Sequence, residues 1–265
     1  MNPVLRTFLR AVLVLAPLVL SFPVPAPAAD EQVREAVRRV LRENPELILD
    51  VLKENSELVL EIAQQGQTLR SRRTMRAQWE TDLRTPKSPR LEGRALRGNP
   101  RAQVTIVAYS DYLCPYCRLA EENLQVLMRK YEGKVRLAFK ALPNAKNALS
   151  VTVARYGLAA FNQEEDKAWR FHDALFAEAE KIEKNGDAVV KALAVKHGLD
   201  LKRLLADSAS ARTQERLAAD EAEAEGFGIR GTPYFLVNDL LVRGAVPRDM
   251  FEEALQKALT LKDKQ

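Results

Sequence analysis

The chain has 265 residues, of which 46% are hydrophobic and 29% charged, and it contains only two cysteines. This composition allows one large domain or two modest ones, and it excludes collagen-like repeats, low-complexity disorder and a small scaffold held together by disulfides. The 41 Lys and Arg residues against 36 Asp and Glu give a net charge of +5. That bias is too weak to predict a nucleic-acid partner.

Residues 1–28 are typical of a secretory signal peptide. Arg6 and Arg10 form a basic start, residues 11–22 are almost wholly apolar, and Ala26-Pro27-Ala28 resembles a cleavage site. The alternative is an uncleaved anchor, but the apolar stretch is shorter than the about 18–20 residues that a membrane-spanning helix needs. We therefore expect export into an oxidising compartment, where a close pair of thiols forms a disulfide unless it is kept reduced.

Residues 29–83 are predicted to form a helical arm. The segment 41–51, LRENPELILDV, is echoed by 52–62, LKENSELVLEI, and this period places apolar residues along one helical face. We expect a homo-oligomer formed through residues 30–65. The alternatives are a helix that packs on its own domain, and an envelope scaffold in which the arm itself is the functional part.

Local signals divide this arm. Asn44 and Pro45 are predicted to be a helix N-cap and the first helical residue, and Gly66 is expected to break or kink the helix. The polar and basic residues 69–84 are predicted to be a solvated arm, and residues 84–101, with three prolines, a basic linker.

The remaining residues, 102–265, are predicted to form an α/β domain. Buried-strand patterns alternate with amphipathic helices, and residues 145–226 contain helical patterns alone, which predicts an all-helical insertion. The predicted strands are 103–110, 135–142, 232–238 and 240–244.

Cys114-Pro115-Tyr116-Cys117 lies between a predicted strand and a predicted helix. Cysteines three apart at a helix start are close enough to open and close a disulfide without moving the backbone. The helix N-terminus stabilises a thiolate on Cys114, and Pro115 suits the first helical position. Cys117, one turn further on, fits the resolving thiol that expels a bound partner.

Two other interpretations of this pair are an inert disulfide and a metal clip. The cysteines supply only half of a tetrahedral zinc site, and the sequence has no second C-x-x-C and no paired histidines. His172 is predicted to be a structural helix residue and His197 an exposed helix end. We therefore expect no metal and no cofactor.

Gly231-Thr232-Pro233-Tyr234 opens a later strand. A proline there cannot donate a ladder hydrogen bond, so it belongs at an edge or in a special turn. The residues alone leave an ordinary trans proline as the default, since cis bonds account for only about 5–6% of X-Pro bonds.

Together, the strand, D-Y-L-C-P-Y-C, the helical insertion and G-T-P-Y-F-L-V-N resemble the DsbA-like thioredoxin-fold oxidoreductases of the bacterial envelope, over residues 98–260. The segment around LRENPELILDVL resembles the oligomerisation region of ScsC-type members. The resemblance implies a thioredoxin fold with a helical insertion and a periplasmic location. It assigns Cys114 as nucleophile, Cys117 as resolving cysteine and Pro233 as a cis-proline facing the site.

One position departs from that pattern. Many relatives carry a buried Glu six residues before the first cysteine, where this chain has Ala108. Asp111 is a candidate substitute that would move the proton of Cys117, although an Asp at a turn is also an ordinary cap. Thr232, Pro115 and Tyr116 are auxiliary candidates.

The predicted activity is dithiol–disulfide exchange on secreted protein substrates that contain cysteines, without a cofactor and with a membrane redox partner. The self-associating arm and the family character of C-P-Y-C and Thr232 favour an isomerase or reductase. A dithiol oxidase is the alternative, and a copper-sequestering protein that uses the same two thiolates is the rival from another class.

Overall fold

The computed structural model describes residues 27–263 and divides the chain into two compact units, one ending at Gly66 and the other starting at Gln67. Of the predicted signal peptide, residues 1–26 lie outside the described residues, and the next two begin the first helix. Within 27–263, no helix is both long and apolar enough to cross a membrane.

The first unit consists of successive helices: α1 (Pro27–Glu43), α2 (Pro45–Glu54) and the first part of α3 (Ser56–Asp82). Each copy of the sequence repeat ends one helix and begins the next. The side-chain amides of Asn44 and Asn55 each donate to the carbonyl oxygen four residues earlier, at 2.8 Å. Asn44 is the N-cap residue of α2 and Pro45 its first residue, as predicted, but the Asn44 side chain makes no capping hydrogen bond to α2, because its amide bonds backwards to the end of α1.

The large apolar side chains of this unit are exposed in the single chain. Val33 is 61% exposed and Ile62 59%, values typical of a surface position rather than a core. The same holds for Val37, Val40, Leu41, Leu47, Ile48, Leu49, Val51, Leu52, Leu58 and Leu60. The helix α3 continues through Gly66 without interruption, contrary to the predicted break.

The second unit is built on a five-stranded sheet with the order β1-β3-β2-β4-β5. The strands β2 and β3 are parallel and the other neighbouring pairs antiparallel. Side chains alternate between the two faces of β2, so that Ile106 and Ala108 join the larger core and Val107 and Tyr109 a smaller one. The strands are β1 (Leu96–Gly98), β2 (Val104–Ser110), β3 (Val135–Ala141), β4 (Tyr234–Val237) and β5 (Leu240–Arg243).

Two helices outside the insertion pack near the sheet, α4 (Pro115–Lys130) and α11 (Arg248–Lys262). The predicted insertion is helical throughout and lies between β3 and β4. It contains α5 (Ala148–Ala160), α6 (Glu165–Ala177), α7 (Ala179–Asn185), α8 (Asp187–Lys196), α9 (Leu201–Ala209) and α10 (Ala211–Gly226).

Residues 67–82 of α3 belong to the second unit, and the expectation of a solvated arm over 69–84 is wrong for the buried face of this helix. Met75, Trp79 and Asp82 are buried. The indole Nε1 of Trp79 donates to the backbone oxygen of Leu241 at 3.1 Å, and the Asp82 carboxylate accepts from the Leu241 backbone nitrogen at 3.1 Å. Because β5 is an edge strand, α3 here satisfies backbone groups that would otherwise be unpaired.

Ion pairs extend this contact to α11. Arg72 pairs with Asp249, Arg76 with Glu253, and Lys257 with Glu80 at 2.9 Å. The basic composition that suggested a solvated arm therefore includes side chains that face an acidic stripe on another helix.

The predicted linker, 84–101, is also part of the folded unit. It contains β1, which pairs antiparallel with β3, and Arg94, whose guanidinium forms a buried ion pair with Asp220 on α10. A second pair lies beside it, because Lys140 lies 2.6 Å from Glu223, which also accepts a hydrogen bond from Tyr109. Two cations and two anions thus compensate one another between the sheet and α10, as buried charges require.

Candidate active site

The C-x-x-C segment joins the end of β2 to the start of α4. Cys114 is the N-cap residue, with extended backbone angles of φ −79° and ψ 121°, and Pro115 occupies the first helical turn. The backbone nitrogens of Cys117 and Arg118 both donate to the Cys114 carbonyl oxygen, at 3.0 and 3.1 Å. The predicted helix start at Cys114 is confirmed.

The two thiols have different environments. Cys117 is 1% exposed, whereas Cys114 is only half-buried. The hydrogen bond from Cys117 lowers the pKa of Cys114 from an ordinary 9.0 to about 6, against the opposing effect of partial burial. Burial, together with that same hydrogen bond, raises the pKa of Cys117 far above its usual range. The pair therefore contains one accessible thiolate and one buried, protonated thiol.

Thr232, the residue before Pro233, lies against the same thiols. The Thr232–Pro233 peptide bond is cis, and Cys114 Sγ lies 3.8 Å from the Thr232 backbone oxygen. The Pro233 oxygen accepts from the Gly244 nitrogen at 2.9 Å. The two motifs, more than a hundred residues apart in sequence, meet at Cys114.

Asp111 has the geometry of a cap. Its carboxylate accepts hydrogen bonds from the backbone nitrogens of Leu113 and Asn144, both at 3.0 Å, and from the Ser150 hydroxyl at 2.7 Å. Its contact with Cys117 is made by the backbone nitrogen, which donates to Sγ at 3.5 Å. These bonds fix the loop before the cysteines and favour the capping interpretation over proton transfer, which stays a prediction.

Sequence reasoning missed Ser110, the last residue of β2. It is buried at 4% exposure, and its side chain hydrogen-bonds the Cys117 thiol, which opposes part of the rise in the pKa of that thiol. Ala108 is also buried on β2, so no carboxylate occupies that position. The signal that would have indicated Ser110 is a hydroxyl residue at the strand end directly before the active loop.

A cleft of about 620 Å³ opens beside Cys114. Its walls come from the loop before α4, from residues 142–147 and from residues 229–232, and they carry Glu183 and Arg230 as exposed charged groups. The side chain of Tyr116 is 64% exposed next to the cysteines. An extended polypeptide thus has access to the more acidic thiol.

The comparisons with known proteins agree with this geometry. A family model described as thioredoxin matches residues 91–257. The chain belongs to the thioredoxin family. The predicted thioredoxin fold and the resemblance to DsbA-like proteins are confirmed.

Three relatives illustrate the range of similarity. A thioredoxin-like oxidoreductase structure from Silicibacter pomeroyi DSS-3 is 30% identical, with a TM-score of 0.56, over 65% of this chain and 99% of that one. Disulfide bond formation protein D from Bacillus subtilis is 24% identical over 64% of this chain and 79% of its own length. A Na(+)/H(+) antiporter NhaA from Herminiimonas arsenicoxydans is 30% identical over 62% of this chain, which spans only 25% of that protein.

The pKa of Cys114 predicts the pH dependence of its alkylation. Because only the thiolate reacts, the rate with iodoacetamide should rise from acidic pH, pass its midpoint near pH 6 and level off above it. Cys117→Ala removes the hydrogen-bond donor and should move the midpoint upward, whereas Cys117→Ser keeps a donor and should move it less. Mass spectrometry across pH measures this, and an unshifted midpoint near pH 8.5 would contradict the structure.

Proposed function

We propose that this chain is an exported, periplasmic thiol–disulfide oxidoreductase that acts on protein substrates through Cys114 and Cys117. The observation that carries the proposal is the division of properties between the two thiols, one accessible with a pKa of about 6 and the other buried with a raised pKa. A structural disulfide needs no such asymmetry, whereas exchange needs one thiol to attack and another to resolve.

The exchange balances without a cofactor. The Cys114 thiolate attacks one sulfur of a substrate disulfide, forms a mixed disulfide and releases the other substrate sulfur as a thiolate. Cys117 then loses its proton and attacks Cys114, which releases the substrate reduced and leaves the 114–117 pair oxidised. In isomerisation, a different thiolate of the substrate attacks the substrate sulfur of the mixed disulfide, which forms a new substrate disulfide and releases Cys114 as a thiolate. Because net reduction or oxidation alters the pair, a membrane redox partner must restore it.

The direction proposed is isomerisation or reduction, with dithiol oxidation as the alternative. Self-association supports the first, since several active sites around one space suit the repeated attack that isomerisation needs. The name of the Bacillus subtilis relative, a disulfide bond formation protein, favours the alternative.

Two assays test the proposal and its direction. The purified chain should restore activity to a substrate protein with scrambled disulfides, and the 114–117 pair should have a reduction potential nearer to that of isomerases, about −180 mV, than to that of strong oxidases, about −120 mV. A reduction potential near the oxidase value would favour dithiol oxidation over isomerisation or reduction, but it would still agree with thiol–disulfide exchange through Cys114 and Cys117. No turnover of scrambled or reduced substrates, with tight copper(I) binding, would replace the proposal with the copper-sequestering function.

We further propose that a second copy of the chain covers the exposed apolar residues of the first unit. A chain that starts at Gln67 lacks those side chains but keeps all of the second unit. We expect the mature chain to sediment as an oligomer and the shortened chain as a monomer. If the two chains sedimented with the same number of subunits, self-association through residues 30–65 would be contradicted.

Two point variants refine that test. Leu47→Glu and Ile62→Glu place charges at positions that are 48% and 59% exposed in the single chain, so they should fold and yet dissociate the oligomer. Leu69→Glu is the matched control, because Leu69 is also exposed, at 56%, but belongs to the second unit.

A further inference from the structure

A second cluster of chemically active groups lies beside a separate cleft, between α4 and the helical insertion. Glu121 follows Cys117 by one helical turn, and His172 and Asp173 come from α6 of the insertion. One donor atom from each of the three lies within 4.8 Å of the others. Glu121 is 4% exposed and His172 0%, so two of the three groups are buried in the second unit.

The imidazole of His172 has one nitrogen bonded and one nitrogen without a partner. Nδ1 lies 2.9 Å from the Tyr112 hydroxyl, whereas Nε2 is buried and makes no hydrogen bond to the described residues. Glu121 Oε1 lies 3.8 Å from Nε2, which is beyond hydrogen-bond reach. A buried polar atom without a hydrogen bond costs about 1–3 kcal/mol, which a ligand bound to this nitrogen would recover.

The carboxylates of Glu121 and Asp173 accept hydrogen bonds from neighbouring side chains but still have free lone pairs. Asp173 Oδ1 accepts from Arg97 at 2.8 Å and from the Gln125 amide at 3.4 Å, and that amide also lies 3.4 Å from Glu121 Oε1. A carboxylate has about four lone-pair sites, so each group can accept a further bond. The Tyr112 hydroxyl, placed on Nδ1, lets that nitrogen carry the proton and Nε2 present its lone pair, as second-shell partners of metal-bound histidines do.

Two of the three residues, Glu121 and Asp173, line a cleft, whereas His172 is fully buried. A cleft of about 490 Å³ between α4, α6 and α8 is lined by Glu121, Gln125, Asp173 and His197. The chain has only two histidines, and this arrangement brings one into the cluster and the other to the wall of the same cleft.

We propose that Glu121, His172 and Asp173 bind a divalent transition-metal ion, with zinc the best match to their donor atoms. One imidazole and two carboxylates are a donor set that zinc accepts. Two donors each about 2.0–2.2 Å from one ion lie roughly 3–4 Å apart, which agrees with the 3.8 Å between Nε2 and Oε1. The ion would join the active-site helix to the insertion. The thiols take no part, which separates this site from the exchange chemistry.

The test removes the thiols first, since they also bind metals. The tag-free Cys114→Ser/Cys117→Ser chain, stripped with a chelator, is titrated with zinc chloride by calorimetry. We expect one zinc per chain, and at least tenfold weaker binding in the same chain with Glu121→Gln. Glu122→Gln is the matched control, because Glu122 is on the same helix and lines the same cleft but is not in the cluster. It should bind zinc as the parent does.

A second measurement covers variants that fold poorly. Saturating zinc should raise the melting temperature of the thiol-free parent and of Glu122→Gln, because a ligand that binds the native state stabilises it, but not that of Glu121→Gln or His172→Gln. Absence of saturable binding at millimolar zinc would overturn the proposal. So would equal affinities in the parent and in Glu121→Gln, since the buried histidine and glutamate then form only an internal ion pair.

Discussion

Cys114→Ser is expected to lower the rate of thiol–disulfide exchange by about 10³-fold or more, to the level of a chain with no thiols, because it removes the nucleophile. Cys117→Ser should differ in kind. It retains the thiol with the lowered pKa and loses the one that releases the substrate, so it should accept a substrate and then stall as a mixed disulfide.

The two variants are distinguished by mass. After incubation with a disulfide-containing protein, Cys117→Ser should yield a covalent complex that dithiothreitol dissolves, and Cys114→Ser should yield almost none. The Cys114→Ser/Cys117→Ser chain sets the background for both, since the protein has no other cysteine. Turnover by Cys114→Ser above that background, or equal trapping by the two single variants, would contradict the assigned roles.

The core of the site was predictable because its determinants are local. A cysteine at a helix start, a proline after it and a second cysteine one turn later specify their own geometry, and the structure has Cys114 as the N-cap and Pro115 in the first turn. The apolar runs of β2 and β3 are equally local, and the predicted strands agree with the structure to within about a residue.

The parts that sequence reasoning missed depend on distant partners. Arg94 was assigned to a solvated linker because the surrounding residues are basic, yet its partner Asp220 lies on α10, and no local pattern reveals it. His172 is buried on α6, in agreement with the predicted structural role, but its partners Tyr112 and Glu121 come from other elements, so the local pattern does not reveal them. A residue with polar neighbours in sequence can therefore be buried when a helix or strand distant in sequence provides a complementary charge or hydrogen-bonding group.

Trp79 is the clearest case, and it carries the largest expected effect on stability. Its segment is rich in charged residues, but the indole is 0% exposed and donates to Leu241, which lies 162 residues further along the chain. Trp79→Ala should lower the free energy of unfolding by about 3–5 kcal/mol through the cavity left behind, with a further loss because the Leu241 oxygen keeps only the longer hydrogen bond from Arg243, at 3.3 Å. Urea unfolding followed by circular dichroism measures this.

Two further variants separate the causes of the lost stability and provide a background value. Trp79→Phe keeps most of the apolar volume and removes the Nε1 donor. Its free energy of unfolding should therefore lie between those of the parent and of Trp79→Ala. Arg73→Ala, at an exposed position of the same helix, should change the stability by no more than about 0.5 kcal/mol. The packing of α3 would be contradicted if Trp79→Ala were no more costly than Arg73→Ala.

The same contact decides where the arm can be cut. A chain that starts at Gln67 retains Trp79 and Asp82, and so keeps the groups that satisfy the edge strand β5 at Leu241. A chain that starts at Arg84, where composition places the linker, loses both and exposes that edge, which favours aggregation. We therefore expect the first chain to unfold at the same urea concentration as the full mature chain and the second at a markedly lower one. Equal midpoints would show that α3 contributes nothing to the second unit.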